Sequence, residues 1–280
     1  MKKKKCAICF RGKCLDINLD CKNNTLNKID YKQSIKSVYK NIIHQNPEIE
    51  FDFYLHGWVH DLSCINDILK DYKPKKYILE KQRDFINDFK NIENYSDILR
   101  ERYRHLHKKG AYNYDTVCFQ NYFQNIFSYA YSISKVIDLI DKDINYAFVF
   151  HLRYDVTIKQ KIILNSLNSF NGKIHTDDVG ISQSPLFYGD FIYFSSYKNA
   201  IFFKLFYTFL KKQIFNNADY KKWVEEIITN KQTNEIGRYK HGIYSNQMIY
   251  AYFITKNHIP YKDVIPTFNC CLIRQKLHLK

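Results

Sequence analysis

The chain opens on short apolar runs that alternate with stretches of helical periodicity. Cys6–Phe10 is an unbroken apolar run of strand length, and Arg11-Gly12 follows it as a loop exit. Tyr31–His44 places Ile35, Val38, Tyr39 and Ile42 at helical spacing, the stripe of a helix that lies on a sheet. Phe51–Leu55 reads as a second strand stopped by Gly57, a helical stripe runs from Ile65 to Tyr72 before Pro74, and Lys76–Glu80 is a short third strand. Asp84–Asp115 is polar, basic and weakly periodic, an irregular or partly helical insertion. Cys118–Ile140 carries the strongest helical pattern in the chain, and Tyr146–Phe150 is a fourth strand leading into Arg153-Tyr154-Asp155.

The second half is less regular. Leu186–Ser195 looks extended, with Gly189-Asp190 interrupting it, and Ser195 and Ser196 are candidate helix caps. Ala200–Leu210 is apolar nearly all round, as in a buried helix, and Asp219–Thr229 and Tyr244–Lys256 are further helices. The strand–helix alternation predicts an α/β fold, a mostly parallel central sheet with helices on both faces. No Gly/Ser/Pro-rich linker divides it, so residues 1–280 read as one domain. Ligands of such sheets sit beyond the carboxyl ends of the strands. That directs attention to Arg11, Gly12, His56, Glu80, Arg153 and Asp155, which follow or end four successive strands.

Composition narrows the classes. Hydrophobic residues at 45% and charged residues at 25% are those of a globular chain, which excludes general disorder. The net charge of +15 suits a polyanionic partner: nucleic acid, an anionic membrane surface or a phosphorylated small molecule. Lys, Asn, Ile and Tyr are inflated together, so compositional bias accounts for the same excess. Eight cysteines without a leader ahead of them predict reduced thiols and a cytoplasmic location. Cys6 and Cys9 have C-x-x-C spacing, but residues three apart on a strand face opposite sides, which argues against zinc. No apolar run reaches the length of a membrane span.

Several residues carry candidate chemistry. Asp155, just past a buried strand, is placed to hold a divalent cation such as Mg²⁺ or Mn²⁺ on a diphosphate, and Arg153 to clamp phosphate oxygens with its planar fork. An Arg–Asp pair that closes the strand end is the structural alternative. Arg11-Gly12 combines charge with close backbone approach, yet it is neither a P-loop nor a dinucleotide fingerprint. Asp190, between Gly189 and Phe191, has a raised pKa if buried, as suits a general base; a turn aspartate is the alternative. His56, His60 and Asp61 match no metal spacing and, like His105 and His107, read as structural. Basic and aromatic residues interleave at Tyr103–Tyr114 and Lys198–Tyr207, but the second stretch reads as core and no nucleic-acid motif is present, so nucleic acid is the lesser partner class.

Taken together, Arg11-Gly12, Leu55-His56-Gly57-Trp58, Tyr72–Glu80, Tyr131-Ser132-Ile133-Ser134-Lys135 and Arg153-Tyr154-Asp155 resemble small glycosyltransferase-like proteins of bacterial surface-polysaccharide loci and large DNA viruses. The resemblance covers roughly residues 5–200. It implies a GT-A-like fold, with a nucleotide-sugar-binding half over 1–160 and an acceptor-side half over 161–280. It also implies a nucleotide-diphospho-sugar donor and a glycan or lipid-linked acceptor. A divalent cation would be held where Arg153-x-Asp155 replaces a D-x-D motif, with Asp155 as the metal ligand. Arg11, Gly12, Lys135 and Arg153 would line the donor site and Asp190 would be the base. In place of the family's acidic residue at the last helix, this chain has Tyr244-Ser245-Asn246-Gln247. A nucleic-acid-binding protein and a catalytically silent scaffold of the same fold are the rival readings.

Overall fold

Alternation along one central strand sorts its side chains onto two faces, and the whole architecture follows from that division. The computed structural model describes residues 3–15, 17–20, 25–89, 116–164, 175–176, 192–214, 218–230, 246–260, 270–272 and 275–277. Residues 90–115 of the insertion expected over Asp84–Asp115, and the Gly189-Asp190 turn, lie outside them. The strands are β1 Lys4–Leu15, β2 Ile17–Asp20, β3 Thr25–Lys28, β4 Ile49–Val59, β5 Lys76–Glu80, β6 Tyr146–Arg153, β7 Val156–Ile158, β8 His175–Thr176, β9 Ile192–Ser195, β10 Cys270–Leu272 and β11 Gln275–Leu277. The helices are α1 Tyr31–Asn41, α2 Ile65–Tyr72, α3 Ile86–Phe89, α4 Thr116–Asp138, α5 Tyr197–Ala200, α6 Phe206–Phe209, α7 Ala218–Asn230 and α8 Asn246–Lys256.

The main sheet has six strands in the order β5-β4-β1-β6-β9-β8. β5, β4, β1 and β6 run parallel, and β9 is antiparallel to β6. From β1, Cys6, Ile8 and Phe10 pack with α1 and α2, whereas Ala7 and Cys9 pack with α4 and α8. Cys6 and Cys9 therefore stand on opposite faces, as strand periodicity requires. This is the α/β arrangement that the alternating pattern predicts, with helices on both faces. β10 pairs with β7, just after β6, and β11 pairs with β3 near the start of the chain.

Local chemistry sets the helix limits. Asp30 caps α1 by accepting from the Lys32 amide, and α2 ends at Lys73, which takes a left-handed φ of 46° just before Pro74. Ser196 caps α5, whereas Ser195 closes β9.

Three sequence expectations are corrected. Arg11-Gly12 lies within β1, because β4 continues the ladder alongside it, pairing Arg11 with His56 and Gly12 with Gly57. Gly57 likewise does not end its strand. It is required for packing: a Cβ there would stand 2.7 Å from Leu79 Cδ2 and 2.9 Å from Cys14 Sγ. Gly57→Ala is expected to lower stability by about 1–3 kcal/mol through overpacking, read as a reduced urea midpoint at constant slope.

The third correction concerns the buried helix over Ala200–Leu210, which is a succession of α5, a 3₁₀ stretch over Ile201–Leu205, α6 and a π turn over Leu210–Ile214. Its cause is visible. Ser134 Oγ of α4 accepts from the Tyr207 amide at 2.9 Å and donates to the Phe203 carbonyl at 3.1 Å. The hydroxyl occupies the place of the α-helical bond between those two groups, a known origin of helix irregularity.

Candidate functional site at the carboxyl edge of the sheet

Strand order reverses at β1: β4 and β5 extend to one side of it and β6 to the other. The crevice outside the carboxyl ends at such a switch point is where open α/β sheets bind ligands. The residues that reach it are Arg11 and Gly12 of β1, Arg153 at the end of β6, and Asp155 just beyond. In register, Arg11 lies between His56 on one side and Arg153 on the other.

Gly12 adopts a φ of +95°, a conformation in which a side chain is strained, and nothing lies within 4 Å of where its Cβ would be. Its amide donates to Ser132 Oγ of α4 at 3.0 Å. This half-buried stretch of backbone is therefore anchored by its amide while the space above its Cα stays open.

Arg153 donates to both oxygens of Asp155, from Nε at 2.8 Å and from Nη2 at 2.6 Å. The Arg153 side chain is 20% exposed and that of Asp155 only 6%. The fork therefore presents an edge to the crevice while its partner is sheltered. Ser34 Oγ of α1 donates to the Arg153 carbonyl at 3.4 Å and ties the strand end to the helix layer.

Arg11 is buried. Its guanidinium carbon lies 4.5 Å from the centre of the Tyr129 ring and 5.6 Å from that of Tyr193, and those two hydroxyls bond to each other. Lys135 is half-buried on α4, one turn after Ser132, with its ammonium 5.3 Å from the Tyr131 ring. Its charge acts on His56 and Glu80, which places it toward β4 and β5. The fold thus brings Arg11 and Arg153 into register and links Gly12 to the Lys135 turn through Ser132. Asp190 lies outside the described residues.

His56 and Glu80, noted from the sequence at strand ends, join Ser132 in a hydrogen-bonded row on the α4 face that the sequence did not foretell. His56 Nδ1 lies 2.7 Å from Ser132 Oγ, and His56 Nε2 lies 3.2 Å from Glu80 Oε1. Burial holds the His56 pKa below its ordinary value, against the opposing pull of Glu80, and the bond from His56 lowers that of Glu80. A neutral imidazole beside a carboxylate fixes the tautomer: Nε2–H donates to Glu80, and Nδ1 accepts from the Ser132 hydroxyl. Ser132 Oγ in turn accepts from Gly12. The signal available in the sequence was Gln124, Ser128 and Ser132, polar residues at four-residue intervals along one stripe of a largely apolar helix.

His151, on the same face of β6, is 2% exposed, and among the described residues neither of its ring nitrogens has a hydrogen-bond partner. Its ring meets those of Tyr193 and Phe203. Burial, with the Arg11 charge adding to it, depresses its pKa to about 3. A cavity of about 280 Å³, lined by Trp58, Val59, His60, Lys81 and Gln82, opens beyond the ends of β4 and β5.

No protein-family model matches the sequence, and no curated protein matches it. Among solved structures, the chain is similar to core-mannan synthase A from Aspergillus fumigatus in its Mn/GDP form, at TM-score 0.49 and 8% identity, covering 98% of this chain and 76% of that one. It is similar to mouse xyloside xylosyltransferase 1, at TM-score 0.42 and 9% identity, covering 92% and 83%. A third is the galactosyltransferase LgtC in complex with donor and acceptor sugar analogues, at TM-score 0.34 and 12% identity, covering 89% and 70%. At these values the similarity is one of overall arrangement and extends to no individual residue.

Proposed function

We propose that this protein transfers a glycosyl unit from a nucleotide-diphospho-sugar to a hydroxyl of a glycan or lipid-linked acceptor. The observation that carries the reading is the convergence at the sheet's switch point of an open, positive-φ backbone at Gly12 with the Arg153 fork. A diphosphate needs both: close backbone approach, and planar paired donors for its oxygens. In the transfer the bond from the anomeric carbon to the donor phosphate oxygen breaks, and its electron pair leaves with the nucleoside diphosphate. The acceptor oxygen bonds to that carbon and its proton passes to a base, the role proposed for Asp190. Negative charge grows on the leaving diphosphate, where Arg153, Lys135 and the field of Arg11 stabilise it. The cavity beside Trp58 gives the donor further room at the same edge.

The divalent cation implied by the family resemblance does not fit the residues as they stand. Both Asp155 oxygens accept from Arg153, whose charge repels a second cation at that carboxylate. Among the described residues no three His, Cys, Asp or Glu side chains converge on one point. The steps above therefore use side chains alone, with Asp155 holding the Arg153 fork in position. The same closed pair favours, as a second reading, a scaffold that no longer turns over.

Thermal shift with a panel of nucleotide sugars, with and without Mn²⁺, followed by donor-hydrolysis assays on those that bind, separates these readings. A donor at a hundredfold excess over its Kd contributes about 2.7 kcal/mol, which raises the Tm of a chain of this size by roughly 5–10 °C. Its affinity should change by less than about tenfold between low and physiological salt, because a sheltered diphosphate is poorly screened. Binding of a donor without turnover supports the scaffold. No stabilisation by any nucleotide sugar, together with nucleic-acid binding that survives physiological salt, overturns both.

A further inference from the structure

We propose that the outer face of α1 docks this protein onto an anionic lipid surface. Lys32, Lys36 and Lys40 follow one another at four-residue intervals on α1, and His44 continues the row on the next turn. All four are exposed. With Ile35, Tyr39 and Asp71 they line a groove of about 420 Å³.

Like charges four apart on a helix repel, so the row is maintained against a local cost. Other lysines are neutralised: Lys75 by Asp52, Lys204 by Asp138 and Lys211 by Asp88. Among the described residues, Lys32, Lys36 and Lys40 make no ion pair. The acid within the groove, Asp71, already accepts from the Tyr31 hydroxyl at 2.9 Å.

The row continues onto neighbouring segments. Asn41 and Asn46 strap the stretch after β7 against the end of α1 through bonds to Ile158, Ile162 and Leu164. That holds the segment carrying exposed Lys159 and Lys161 at the carboxyl end of α1, with Ile163, 52% exposed, just after them. Lys3 donates to the Pro47 carbonyl at 3.0 Å, two residues beyond the 3₁₀ turn Ile43–Gln45 that carries His44.

A row of exposed lysines without ion pairs on one helix face is the composition of an electrostatic docking surface, in which ammonium groups meet lipid phosphates, and exposed Ile163 is the aliphatic group on the neighbouring segment that can enter the headgroup boundary. Single-stranded nucleic acid fits less well, because it needs free ring faces for stacking. Tyr39, the aromatic of this groove, is already packed against His44 and Phe53. The inner face of α1 is tied to the Arg153 strand end through buried Ser34, so the docking face and the candidate site belong to one packed layer.

The experiment is sedimentation of the full chain with vesicles of phosphatidylcholine alone or with about 30 mol % phosphatidylglycerol, without any nucleotide sugar. It therefore stands or falls independently of the proposed transfer. The variant is Lys32→Glu/Lys36→Glu/Lys40→Glu; the control is Lys212→Glu/Lys221→Glu/Lys222→Glu, which changes net charge equally on another surface. Wild type and control are expected on the anionic vesicles, with the α1 variant bound at least tenfold less at an unchanged Tm. Wild-type binding should fall with added salt and be absent from neutral vesicles. If the charge reversals unfold the chain, the triple Lys→Gln variant serves instead, with the same expected loss. The proposal is overturned by an α1 variant that binds like wild type, by equal losses in variant and control, or by equal binding to neutral vesicles. It is overturned too by a wild type that ignores anionic vesicles yet retards single-stranded RNA through the same three lysines.

Discussion

Asp155→Asn is expected to lower glycosyl transfer by about a hundredfold or more while lowering stability by only roughly 1–2 kcal/mol. The asymmetry follows from the two burials. Asp155 is the sheltered member of the pair and Arg153 the one that reaches the crevice, with side-chain exposures of 6% and 20%. Asparagine keeps the shape and one acceptor but can no longer receive both arms of the fork, so the guanidinium loses its fixed direction. Misaligned by about an ångström, it stabilises the leaving diphosphate poorly. Because it remains partly hydrated, the unpaired charge costs less than one deep in a core. Arg153→Lys, which keeps the charge and loses the fork, should show a similar fall in kcat. Steady-state kinetics and urea melts on the three proteins decide the point. If Asp155→Asn turns over at the wild-type rate, the pair only closes the end of β6. A dependence of wild-type turnover on Mn²⁺ that disappears in Asp155→Asn would instead make the carboxylate a metal ligand.

The second large effect is on acid stability and originates at His151. Its pKa is depressed from the ordinary 6.5 to about 3 by complete burial and by the Arg11 charge. The folded protein therefore holds it neutral, whereas the unfolded chain takes up a proton once the pH falls below about 6.5. Unfolding thus gains protons in this window, and stability falls as pH is lowered from about 6.5 toward about 3, by up to about 1.4 kcal/mol per unit. Between pH 6 and pH 4 the loss from this one residue amounts to about 2–3 kcal/mol, a large part of a typical domain's stability. His151→Leu removes the titration along with two ring nitrogens that lack hydrogen-bond partners among the described residues. Relative to wild type, the variant should gain about 2–3 kcal/mol on going from pH 6 to pH 4. Denaturant titrations at the two pH values measure it directly. Parallel losses in both proteins would assign acid sensitivity to other groups.

Local pattern accounts for a good part of this architecture. The stretches read as β5 and α2 have the limits expected from apolar spacing and from the Pro74 stop, because a period of two or of 3.6 is a property of neighbouring residues. The opposite facing of Cys6 and Cys9, the strong helix now seen as α4, and the parallel sheet between two helix layers were legible for the same reason. So was the placement of Arg11-Gly12 and Arg153-Tyr154-Asp155 toward the carboxyl edge of the sheet, since they follow directly on apolar strand runs. The lengths of β1 and β4 were not legible. Each is extended by the other's ladder, and Gly12 and Gly57, which read singly as breaks, are partners across it.

What only the tertiary structure decided is who meets whom. The bond from Gly12 to Ser132 joins residues 120 apart, that from His56 to Ser132 joins residues 76 apart, and that from Ser134 to Phe203 joins residues 69 apart. Such pairs depend on strand order and on the register at which helices cross the sheet, and no local period encodes either. The closure of Arg153 on Asp155 is local in sequence, but its direction is not. It depends on the crevice that opens where the order of strands reverses at β1, a position set by a long crossover through α4. The sequence determined the elements and their buried faces because those follow from the spacing of apolar groups along a few turns. The structure determined the candidate site because charge, open backbone and shelter converge there only after distant strands are laid side by side.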